Sequence, residues 1–176
     1  RFEFTAAREA CAAAAVHAHS TTSDSTPYTH WRLSHLRADV FDELGEFARA
    51  AVYADRAAAI ADANHLEECW AYSVGKRIWI ARQEGDARLA ADRLRQLADR
   101  LSPNSHWLCA VLGSTLSWLG RPETALYYAR RCLALPAPHP SRARDHRELA
   151  RVLTRLGHLD EAREHLDRVA ESMTGH

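Results

Sequence analysis

The chain has 176 residues, 47% of them apolar and 26% charged, which is enough for a folded domain with an interior of its own. Lys plus Arg and Asp plus Glu each number 23, so the balanced charge supplies no positive field for nucleic acid or an anionic membrane. Cys11, Cys69, Cys109 and Cys132 stand far apart without a CxxC pair, which argues against a zinc knuckle or compact disulfide framework and for reduced thiols in a cytoplasm.

From the start, Phe4, Ala7, Cys11 and Ala14 fall at helical spacing, so residues 1–19 read as the second helix of a partial upstream repeat. Arg1 opens the chain without a methionine or a charged-then-apolar leader, and no stretch nears eighteen uninterrupted apolar residues. We therefore expect a soluble fragment whose upstream sequence is missing. Residues 20–27, polar from Ser20 to Thr26 and closed by Pro27, form a linker.

Four helix pairs follow, over 28–63, 65–102, 104–135 and 141–172, and each is broken by a loop glycine: Gly45, Gly85, Gly120 and Gly157, spaced 40, 35 and 37 residues apart. Five residues after each comes an alanine, at Ala50, Ala90, Ala125 and Ala162, the small side chain that a close helix crossing demands. Twelve after come the apolar Ala57, Leu97, Cys132 and Val169. The last pair shows the periodicity best, with Leu149, Val152, Leu153 and Leu156 before its glycine and Leu159, Ala162, Leu166 and Val169 after it. Its outer face carries the opposite-sign pairs Arg163 with Asp167 and Glu164 with Arg168, the mark of a solvated surface. Pro103 and the prolines at 136, 138 and 140 fall between pairs, where a helix must stop.

These features resemble the tetratricopeptide repeat (TPR). The resemblance is carried by Leu44-Gly45, Leu119-Gly120 and Leu156-Gly157, by Phe47 and Leu159 two after the glycine, by the four alanines, and by Gly113 and Ala150 seven before their glycines. Ala54, Leu94, Ala129 and Leu166 replace the family's second-helix aromatic, and Arg37 stands where leucine is usual. The resemblance implies an all-α, right-handed superhelical solenoid of antiparallel helix pairs, about four repeats plus an N-terminal helix. Stacked pairs bury what one pair cannot and leave an extended concave face.

The resemblance also implies that first helices line that face. Counting back from each glycine gives Arg32, His35, Asp39, Asp42 and Glu43, then Tyr72, Gly75, Trp79, Arg82 and Gln83, then Trp107, Ala110, Ser114, Ser117 and Trp118, then Arg144, Arg147, Arg151, Thr154 and Arg155. Aromatics with arginine are what binding hot spots use, so Arg32, His35, Asp39, Tyr72, Trp79, Arg82, Trp107, Ser114, Trp118, Arg147 and Arg151 are the candidate ligand contacts. Arg147 and Arg151 lie one turn apart, as a forked donor pair for carboxylate or phosphate would. The tryptophans are equally compatible with inter-repeat packing, and the arginines with pairing to Asp145 and Glu148.

His17 with His19 and His30 with His35 lack the one-turn spacing of a helical zinc site, so no metal or cofactor is expected. No GxSxG, P-loop or dinucleotide fingerprint occurs, and we read the chain as no enzyme. A cysteine–histidine nucleophile would meet only in space; His106 and Cys109 are near in sequence, where a buried cysteine is the ordinary outcome. The expectation is a module that binds a peptide, protein or small molecule, by resemblance the sensory part of a larger bacterial regulator joined to an N-terminal helix-turn-helix domain. A scaffold or homodimer using the alanine-rich helix from Ala48 to Ala63 is the alternative.

Overall fold

The structure, a computed structural model, describes residues 26–136 and 139–174. The helix expected over 1–19, with Cys11, His17 and His19, and the linker as far as residue 25 lie outside the described residues. Among these residues there are eight α-helices and no strand: α1 Pro27–Glu43, α2 Phe47–Ala63, α3 Glu67–Gln83, α4 Ala87–Arg100, α5 His106–Trp118, α6 Pro122–Ala134, α7 His139–Arg155 and α8 Leu159–Thr174. None of these described helices is long and apolar enough to cross a membrane.

The helix starts follow from local chemistry. Thr26 caps α1 by accepting the Thr29 N–H at 3.3 Å, and Pro27 follows where no backbone donor is needed. Ser105 caps α5 through the Leu108 N–H, and Asp86 accepts the Leu89 N–H at 2.9 Å in α4.

The helix ends share one device. After α1, Gly45 N–H donates to the Asp42 carbonyl and Glu46 N–H to that of Phe41, the paired bonds of a Schellman turn with Gly45 at φ +72°. The same two bonds recur at Gly85, Gly120 and Gly157, and also at His65, which adopts φ +55° between α2 and α3.

The chain divides into two compact units at Arg93, within α4. In the first, α1 packs on α2 and α2 on α3, while α1 also touches α3. Its core is built from small side chains, Ala38, Ala50, Ala51 and Ala54 with Ile80, edged by Phe41, Phe47 and Tyr53. The Phe41 and Tyr53 rings stack at 5.4 Å, and Arg37 lies over Tyr53. Trp31 donates its indole N–H to Ser73 Oγ at 2.9 Å, a buried bond that ties α1 to α3.

In the second unit α5 packs on α6, α6 on α7 and α7 on α8, with α5 also against α7. Gly113 lets α5 approach α6 closely, since a Cβ there would stand 3.3 Å from the Ala129 backbone nitrogen. Ala129, Leu149, Ala150, Leu153 and Ala162 form the core. Arg142 forks onto the carbonyls of Leu133 and Leu135, which α6 leaves without helical partners at its end.

Candidate functional site

In the first unit, Tyr72, Lys76 and Trp79 fall at i, i+4 and i+7 on α3, and so share one stripe. Lys76, the sole lysine in the sequence, bonds to Asp39 Oδ1 at 2.7 Å and to Asp42 Oδ2 at 3.0 Å, which turns this stripe toward α1. Burial alone would lower the Lys76 pKa, but the bonds and charges of the two aspartates outweigh it and raise the pKa above the ordinary value. On either side of this ordered charge network stand Tyr72, 50% exposed, and Trp79, 43% exposed, with the Arg82 guanidinium 5.3 Å from the Trp79 ring centre.

In the second unit, a narrow cleft between α5, α6 and α7 is lined by Ala110, Gly113, Ser114, Cys132, Arg144 and Glu148, with room for about one water molecule. Its wall also includes Asp145. At 5% exposure, this carboxylate takes His106 Nε2 at 2.7 Å from α5. Cys132, on α6, brings its sulfur 3.6 Å from the His106 carbonyl oxygen. Burial and the adjacent Asp145 carboxylate push the Cys132 thiol up to about 12.

The sequence-derived candidates are placed unequally. Tyr72, Trp79 and Arg82 lie along α3, and Arg32 is exposed on α1. Asp39 holds Lys76. His35 is buried, its ring stacked on Trp31 at 5.4 Å and its Nε2 4.0 Å from Asp39, so it packs inside the first unit. In the second unit Trp107, Ser114 and Trp118 are half-buried, while Arg147 and Arg151 are exposed. Arg151 reaches Glu148 at 3.2 Å, the pairing weighed for it from sequence. Ser117, counted onto the same face, is instead buried: Arg155 donates to its carbonyl and to its hydroxyl.

Counting back from the glycines found Ala110, Ser114 and Arg144 at the cleft but missed Cys132, Asp145 and Glu148, because the count samples positions thought to face outward. Lys76 was missed for a different reason. Its position lies one turn from both aromatics, a signal that was present in the spacing.

No protein-family model and no curated protein matches the sequence. Solved structures do. BtubC from P. vanneervenii superposes over 97% of this chain and 72% of its own, at a TM-score of 0.65 and 21% identity. A Podosopora anserina protein, described as a kinesin light chain of nearly identical TPR-like repeats, does so over 95% and 87%, at 0.63 and 20%. The fold is TPR-like. MamA from Desulfovibrio magneticus RS-1 matches it over 95% of this chain and 85% of its own, at 0.60 and 17%. At such identities the likeness is one of fold, and no enzyme family is indicated among these TPR-like neighbours.

Proposed function

We propose that the chain is a protein-interaction module that takes an extended peptide segment of a partner along the α1/α3 face. The observation that carries this reading is the Tyr72–Lys76–Trp79 stripe, with two large exposed aromatics held on either side of a lysine fixed by Asp39 and Asp42. Aromatic side chains lose little entropy on binding and supply most of the energy of such contacts, while the ordered charges fix a peptide's register. Arg32 and Arg82 complete this site, and Trp107, Ser114, Trp118, Arg147 and Arg151 form its counterpart in the second unit. TPR-like folds elsewhere make the reading natural, since first helices are where such repeats present a continuous surface.

The finer reading is a sensory part of a larger bacterial regulator that takes a signalling peptide or small molecule; its support is the resemblance in the repeat motifs. The unpaired thiols of Cys69, Cys109 and Cys132 suit a reducing compartment such as the cytoplasm. Selection of a random-peptide display library on the immobilised chain tests the binding site. Enriched peptides should bind at micromolar Kd, and Trp79→Ala should weaken them at least tenfold with unchanged helicity by circular dichroism. Equal binding by the variant would remove the α1/α3 face as the site.

Self-association through second helices has less behind it. Val52 on α2, Tyr127 on α6 and Leu159 and Leu166 on α8 are exposed, but apolar side chains spread over three helices are ordinary on a protein surface. A dimer in sedimentation that Val52→Glu dissolves would restore the homodimer.

A further inference from the structure

We propose that His106, Cys132 and Asp145 form a binding site for one divalent cation of the zinc class. One ligand atom from each, an imidazole nitrogen, a sulfur and a carboxylate oxygen, lies within 4.8 Å of the others. Three different helices supply them: α5, α6 and α7. The geometry is therefore fixed by packing, and no local spacing motif marks it.

The donor set selects the ion. Calcium and magnesium take oxygen ligands, whereas a mixed nitrogen, sulfur and oxygen set suits a borderline-soft cation such as Zn²⁺. Tetrahedral bonds of about 2.0–2.3 Å place neighbouring ligand atoms somewhat over 3 Å apart. The His106–Asp145 contact at 2.7 Å needs to open by only a fraction of an ångström to admit the ion. Three protein ligands leave a fourth position for water, and two of the three, Cys132 and Asp145, also line the adjoining cleft, which has room for about one water molecule.

Charge balance favours occupation. On binding, the Cys132 S–H bond breaks, the sulfur keeps the electron pair and bonds to the cation, and the proton leaves to solvent. The thiolate and the Asp145 carboxylate then neutralise the divalent charge where both side chains are buried. Without a cation, His106 and Asp145 make an ordinary hydrogen bond between α5 and α7, and Cys132 stays a neutral thiol beside the carboxylate. The two situations make different demands on the sulfur.

The full chain, stripped with chelator and titrated with Co²⁺, separates them. The site gives one equivalent of tightly bound Co²⁺ with a near-ultraviolet sulfur-to-cobalt charge-transfer band, displaced by Zn²⁺. Cys132→Ser abolishes the band and Asp145→Asn weakens binding at least tenfold, while Cys69→Ser leaves both unchanged. Should Cys132→Ser lose helicity by circular dichroism, His106→Gln, at a partly exposed position, provides the comparison and should also weaken binding at least tenfold. Absence of the band in the wild-type chain overturns the proposal, as does a band that survives Cys132→Ser or unchanged affinity in His106→Gln. Weak binding to the other histidines gives no charge-transfer band and counts as its absence.

Discussion

Gly113 is the residue where the smallest change has the plainest consequence. Its missing Cβ would lie 3.3 Å from Ala129 N and 3.5 Å from Ala129 Cα, atoms of the α6 backbone that cannot rotate away as a side chain would. Gly113→Val forces α5 and α6 apart, and overpacking of this kind costs about 1–3 kcal/mol. Thermal denaturation should show the loss, and an unchanged melting temperature would mean that the crossing is looser than 3.3 Å implies. His35 illustrates a second residue-scale effect. Burial, the largest cause, holds its pKa below 6.5, with Lys76 and Arg32 adding to the shift and Asp39 opposing it. A depressed histidine pKa means that the unfolded chain binds the proton more readily, so the stability that neutral His35 contributes is complete above pH 6.5. It is lost as pH falls from there through the folded value. Between pH 7 and pH 5 the wild type should therefore lose more stability to urea than His35→Gln does; parallel curves for the two would contradict this.

At the scale of elements, the loops explain why so much of the fold could be read from the sequence. A Schellman turn needs one residue in the left-handed region, glycine takes that conformation at least cost, and a recurring glycine therefore reports a recurring turn. Ala50, Ala90, Ala125 and Ala162 report the matching crossing, and all four are buried. His65 makes the same turn with none of glycine's freedom, and so gave no such signal. A non-glycine residue there carries about 1–2 kcal/mol of left-handed strain, partly offset by the greater unfolded-state entropy that glycine brings. His65→Gly should accordingly raise stability by up to about 1 kcal/mol, whereas Gly157→Ala should lower it by about 1 kcal/mol. At Gly157 a Cβ meets nothing within 4 Å, so the loss there isolates the backbone effect from packing. Chemical denaturation of the two variants checks both signs.

For the whole molecule, what was legible stops where residues meet only through tertiary packing. Tyr72 and Trp79 could be picked out by counting back from Gly85 along a single helix, the one that the repeat resemblance assigns to the concave face. His106 and Asp145 are 39 residues apart, on helices that approach each other across α6, and no periodicity predicts that meeting. The same locality governs stability. In a stack of helix pairs each element contacts only its neighbours in the chain and the next pair, so a lesion is felt mainly where it is made. Trp31→Phe removes the indole donor to Ser73 Oγ, a buried bond between α1 and α3 whose loss costs about 1 kcal/mol. Amide exchange in the variant should quicken in α1 and α3, while α7 and α8, in the other unit, keep their protection. Uniform quickening across all four helices would instead show that the chain opens only as a whole, and that the local pattern of its contacts does not set its cooperativity.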